Sequence, residues 1–174
     1  MPRKTESSRP TAAKVRALEG PLNEPATRVL RRFRLVFNAV KTHFRQVERT
    51  AGVGGAQLWA LSLIRDAPGM GVNDLARAMD VHQSTASNLV KSLAEQGMIV
   101  VAKNSSDRRT VQLRTLPAGA RVLRRAPEPF TGVLPDALNS LDVKTLARLE
   151  KDLGKLIEAL DVDERDAGIP LGQT

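Results

Sequence analysis

The sequence has 174 residues, enough for one domain with a real core, or for a domain plus an oligomerisation element. It contains no cysteine, which excludes disulfides, thiolate catalysis and cysteine-based redox sensing, and no apolar run approaches the ~20 residues a membrane-spanning helix needs. The formal net charge of +8 suits a polyanionic partner, but the surplus is unevenly placed: residues 1–50 hold 12 Lys/Arg against 4 Asp/Glu, residues 71–115 hold 6 against 4, and residues 136–174 hold 5 against 9.

Residues 1–26 read as a flexible basic tail punctuated by Pro2, Pro10, Pro21 and Pro25. Arg3, Lys4 and Arg9 have no apolar stretch behind them, so this is not a secretory signal, and a cytoplasmic protein is expected. A long amphipathic helix is predicted from about Thr27 to Thr50. Val29, Leu30, Phe33, Val36, Phe37, Val40, Phe44 and Val47 recur on one stripe at threes and fours, with most of the arginines elsewhere. Gly52, Gly54 and Gly55 end it. A second helix, from about Ala56 to Arg65, is apolar on nearly every side (Leu58, Trp59, Leu61, Leu63, Ile64) and is therefore expected to be buried. Ala67-Pro-Gly-Met-Gly71 is a turn.

The next stretch, Val72 to Gly97, reads as two helices around a tight turn. Leu75, Ala76 and Met79 form the apolar side of the first, and Ala86, Leu89, Val90 and Leu93 that of the second. Asp80-Val81-His82 breaks the first period, Val81 can plug the angle between the helices, and Gly97 supplies a left-handed stop. The outward face of the second helix carries Gln83, Ser84, Thr85, Ser87 and Asn88, with Lys91 a turn later. Ser, Thr and Asn are mediocre helix formers. A helix N-terminus presenting short hydrogen-bonding groups is what base edges and phosphates in a major groove require, so this reads as a DNA recognition helix.

Met98 to Ala102 and Thr110 to Thr115 follow as strands, separated by the polar segment Lys103 to Arg109, which makes a β-hairpin with a charged tip. Pro117 suits a helix start, but Pro127, Pro129 and Pro135 predict a broken or bent segment over 118–138. The last helix opens on Asp142 as N-cap. Leu146, Leu149, Leu153, Leu156 or Ile157, and Leu160 give it a seam suited either to a dimer or to packing on the first helix. Residues 164–174 are expected to fray.

These blocks resemble the MarR family of bacterial winged helix-turn-helix transcription regulators over about residues 29–160. The similarity rests on Gln57-Leu-Trp-Ala-Leu61, Pro68-Gly69 leading into Leu75-Ala76, Ser84-Thr-Ala-Ser87 with Leu89-Val90 and Leu93, Gly97-Met-Ile99, and Asp107-Arg-Arg109. A lone helix-turn-helix pattern is weakly specific, whereas these blocks in this order are strongly so. The resemblance implies a mainly α fold with a small β-hairpin. A winged helix-turn-helix DNA-binding lobe would occupy about residues 55–116, within a domain of residues 27–163, and dimerisation helices about 27–50 and 118–162. It also implies a cytoplasmic, nucleoid-associated homodimer on a pseudo-palindromic operator in double-stranded DNA, usually a repressor released by a small ligand. Carried over by residue, Gln83, Ser84, Thr85, Ser87 and Asn88 would face the major groove and Lys91 a phosphate. Arg108 or Arg109 would enter the minor groove, and Asp107 would hold a wing arginine. The chain departs from the family pattern twice: Val101 and Ala102 stand where the strand usually carries arginine, and Thr115-Leu116 inverts the usual Leu-Thr helix cap.

Many members of the family bind small aromatic acids beside the DNA-binding lobe, which makes His43, Trp59 and Arg45 the candidates for an effector site: a stacking imidazole, an apolar wall and a guanidinium for a carboxylate. His43 and Trp59 also have a plain packing reading. With two histidines far apart in sequence and no cysteine, no metal site is expected, and neither is a cofactor. No nucleophile–base pair, phosphate loop or paired carboxylates point to an enzyme. The remaining alternatives are an architectural DNA-coating protein without operator preference and a winged helix that binds protein.

Overall fold

The computed structural model describes residues 24–103, 111–160, 162 and 167–170. Helix α1 runs Glu24–Ala51 and is followed by α2 (Gly55–Asp66), α3 (Val72–Met79), α4 (Gln83–Glu95), strands β1 (Ile99–Lys103) and β2 (Val111–Thr115), and helices α5 (Pro117–Arg125), α6 (Val133–Asn139) and α7 (Val143–Leu160). Among the described residues the fold is mainly helical with one antiparallel strand pair, the winged helix-turn-helix arrangement that the sequence predicts. Helix α1 starts three residues ahead of the expected Thr27. Pro25 fits in the first turn, where a missing N–H costs no helical bond, and Arg28 pairs with Glu24 at 2.8 Å.

The chain divides into two compact units after Phe37. Within the first, Phe33 and Phe37 stack with centroids 6.2 Å apart, and Val29, Leu35, Val36 and Phe37 are exposed. The second unit, from Asn38 onward, holds the core. Leu58, Leu61 and Ile64 of α2, Leu75 of α3, Leu93 of α4, Ile99 of β1 and Leu113 of β2 are fully buried. Helix α2 packs against α3, α4, α5 and β2, which explains its nearly continuous apolar sequence. Its N-terminus is tied down by one side chain: Gln57 Oε1 accepts from Gly54 N at 3.0 Å while its Nε2 donates to Ser92 Oγ of α4 at 2.7 Å. The α2–α3 turn is held to the hairpin where Gly69 N donates to Leu113 O (2.8 Å) and Leu113 N donates to Met70 O (2.9 Å).

In the hairpin, Ile99 faces Thr115 and Val101 faces Leu113. The chain then enters α5 with Leu116 at the N-cap and Pro117 behind it, and no side chain caps the helix. The inverted Thr-Leu order has a visible cost: Thr115 Oγ1 is buried without a hydrogen-bond partner. Thr115→Val keeps the shape and removes the orphaned hydroxyl, so it is expected to raise stability by about 1 kcal/mol, read as a higher denaturant midpoint at constant slope. An unchanged or lower midpoint would mean that the hydroxyl is satisfied.

The expected break over 118–138 falls between α5 and α6, and it includes a cis Glu128–Pro129 bond. The Arg65 guanidinium lies over the Phe130 ring, 5.4 Å from its centroid, which anchors this connection to the end of α2. Asp142 caps α7 by accepting from Thr145 N (3.0 Å) and Thr145 Oγ1 (2.7 Å), bonds that hold its carboxyl below the usual carboxylate range. Helix α7 buries none of its residues, and Leu149, Leu153, Leu156, Ile157 and Leu160 are all exposed. No described helix is long and apolar enough to cross a membrane.

Candidate nucleic-acid interface

Helix α3 opens at Gly71, whose N–H donates to Asp74 Oδ2 at 3.0 Å, and Asp74 also pairs with Arg77. The Gly71 amide, and then Arg77, hold the Asp74 carboxyl below its ordinary value of 3.8. A depressed carboxylate stabilises the fold fully above that ordinary value and loses its contribution as pH falls through the folded one, so this cap is intact at neutral pH. The helix ends on Asp80, which adopts the left-handed conformation at φ 52. Asp and Asn tolerate that region better than other side chains do. Val81 N then donates to Ala76 O at 3.0 Å, and the half-buried Val81 side chain packs on the core between the two helices.

His82, in extended conformation, is the N-cap of α4 and makes no side-chain cap bond there. Ala86, Leu89, Val90 and Leu93 are buried, which fixes the roll of α4 about its axis. That roll leaves Gln83, Ser84, Asn88 and Lys91 exposed and Thr85 and Ser87 half-exposed. Ser87 Oγ donates to Gln83 O at 2.8 Å, so its hydroxyl is already engaged with the helix backbone. Ser84 and Asn88, one turn apart and open to solvent, are the freer hydrogen-bonding pair. Lys91 lies at the 4.0 Å limit of a pair with Glu95, both exposed, an interaction that phosphate can replace at little cost. The C-terminal stop falls at Gly97, left-handed at φ 66, as its sequence position predicts. The wing-tip candidates Asp107, Arg108 and Arg109 lie outside the described residues.

At the α3–α4 turn lies a cavity of about 430 Å³. Val40 and Phe44 of α1 and Trp59 of α2 form one side, and Met79, Asp80 and Val81 of the α3–α4 turn another. Leu134 and Leu138 of α6 and Ala167, Ile169 and Pro170 also line it. Of the three effector candidates, the structure brings only Trp59 to this cavity. His43 is buried, with its ring 5.9 Å from that of Phe44, and is not part of the lining. Arg45 is exposed in a separate depression with Thr42, Gln46 and Arg49. Of residues 164–174, expected to fray, only 167–170 are among the described residues, and Ala167, Ile169 and Pro170 line the cavity. A Cβ on Gly168 would fall 2.6 Å from His82 Cδ2, so a glycine is what lets the segment approach the head of α4. Sequence reasoning missed both Asp80 and this segment as cavity walls, and the apolar Ile169-Pro170 pair was the available signal.

A family model described as the MarR family matches residues 51–110. A protein of Thauera aromatica named "putative transcriptional regulatory protein for hcr operon" is 32% identical over 118 residues, covering 64% of this chain and 71% of that protein. Among solved structures, a MepR-like protein complexed with pseudoligands is similar with a TM-score of 0.53 at 18% identity, covering 79% of this chain and 94% of that one. The MepR–DNA complex of S. aureus gives a TM-score of 0.53 at 18% identity, covering 74% and 95%.

Proposed function

This chain belongs to the MarR family of winged helix transcription regulators, and from that premise we propose that it is a homodimeric repressor of a pseudo-palindromic operator, released by a small ligand. The relatives and the fold are those of transcription regulators, which are not enzymes. The observation that carries the reading is the roll of α4. Its four apolar residues are buried in the core, so the short polar side chains Gln83, Ser84 and Asn88 are turned outward at its first turns, where a major groove would meet them. Thr85, Ser87 and Lys91 complete that face. Arg108 and Arg109 at the hairpin tip would add a minor-groove contact steadied by Asp107.

Dimerisation is supported by the exposed apolar side chains of α7, a helix of 18 residues that buries nothing by itself. Exposed Val36 and Phe37 on the first half of α1 point the same way. Two recognition helices in such a dimer would read half-sites about one DNA turn apart, near 34 Å. Trp59 and the cavity beside the α3–α4 turn would hold the effector. A ligand that prefers a different setting of that turn weakens operator binding by its differential affinity for the two states. DNase footprinting upstream of the protein's own gene tests the DNA half of this reading. Two protected half-sites about 10 base pairs apart are expected, and uniform coating of the fragment would argue for an architectural protein.

A further inference from the structure

The nature of the effector can be read from the charge of the cavity wall, given that the cavity is the effector site. Its volume of about 430 Å³ falls within the ~300–1,000 Å³ usual for small-molecule sites. The wall is apolar on most sides, with Phe44, Trp59, Met79, Leu134 and Ile169 supplying rings and branched chains. Among the described lining residues there is no lysine, arginine or histidine, and Asp80 is the one ionisable group. An aromatic carboxylate entering here would leave water without finding a cation and would meet a like charge. A ligand with an ammonium or similar cation would meet the opposite one. Arg45, the guanidinium the sequence offered for an acid, lines a different depression.

Asp80 is also placed to transmit binding. It is the left-handed residue that ends α3, two positions before the N-cap His82 and three before Gln83, where the recognition helix starts. A ligand held at Asp80 would bear on the turn between α3 and α4. We propose that the cavity takes a compact apolar ligand carrying a positive charge, with Asp80 as its counter-charge. The inference rests on the effector reading above, and deepens it.

The chain contains a single tryptophan, and it is the one lining the cavity, so intrinsic fluorescence reports occupancy directly. The test titrates the full-length protein at low salt with three probes of one shape: 4-tert-butylbenzylammonium, 4-tert-butylbenzyl alcohol and 4-tert-butylbenzoate. Asp80 is exposed, so the preference is that of a solvent-screened pair: the ammonium is expected to bind about three- to fivefold more tightly than the alcohol, and the carboxylate most weakly. Asp80→Asn keeps a residue suited to the left-handed position and should make the ammonium and the alcohol equal, with unchanged circular dichroism. A carboxylate that binds as tightly as the ammonium overturns the proposal. So does a cation preference that survives in Asp80→Asn, or a Trp59 signal that none of the three probes alters. The same ammonium is then added to a preformed protein–DNA complex. Asp80-dependent binding that leaves the DNA bound supports the ligand assignment and rejects ligand-triggered release.

Discussion

Leu61→Ala is expected to lower the unfolding free energy by about 2–5 kcal/mol, with a fall in Tm of roughly 5–15 °C at matched protein concentration. Leu61 is fully buried on α2, the helix that α3, α4, α5 and β2 all pack against. Its Cδ1 lies 2.9 Å from where a Cβ on Gly119 would stand, and the same Cβ would be 2.4 Å from Met98 O. Helix α5 is thus drawn onto the hairpin with no room to spare, and Met98 O also accepts a bond from Leu116 N at 2.8 Å. Removing three heavy atoms at this junction leaves a void that backbone on one side cannot fill. The loss therefore belongs at the upper part of the range for leucine-to-alanine changes. Chemical denaturation measures it, and a cost below about 1 kcal/mol would show that the site collapses freely and that α2 is not the centre of the lobe.

The second large effect is on binding. Ser84→Ala and Asn88→Ala together are expected to weaken operator binding about 100-fold, because each side chain that reads a base edge contributes about 1–3 kcal/mol of discrimination. Both side chains are exposed, and neither supports the core. Alanine is the better helix former at each position, so Tm should hold or rise slightly while affinity falls. Loss of affinity together with loss of Tm would point to a structural role. Binding to unrelated DNA, which depends on phosphate contacts, should change by less than a few-fold.

The part of the molecule most legible in the sequence was the part whose periodicity is local. Leu75, Ala76 and Met79, and then Ala86, Leu89, Val90 and Leu93, are spaced as helix faces and all are buried. Gly97 and Asp142 act where their types predict, at a left-handed stop and an N-cap. The cavity was not legible, because its walls come from segments more than 100 residues apart in sequence, Val40 to Pro170, and no spacing rule joins them. Asp80 carried a turn signal but no sign that it would line a cavity. His43 and Arg45 are close in sequence to Phe44, yet the helix turns Arg45 to another face and buries His43. Apolar periodicity also overstated burial: Val36 and Phe37 belong to the α1 stripe and remain exposed. A stripe records that a surface needs cover and does not say what covers it.

The most direct measurement is a fluorescence-anisotropy titration of the full-length protein on DNA from upstream of its own gene, against a scrambled duplex of equal length at the same salt. A preference of about 10³-fold or more for the upstream duplex is predicted for a sequence-reading recognition helix. Equal affinity for the two duplexes, with the steep salt dependence of phosphate contacts alone, would contradict the account and make this a DNA-coating protein.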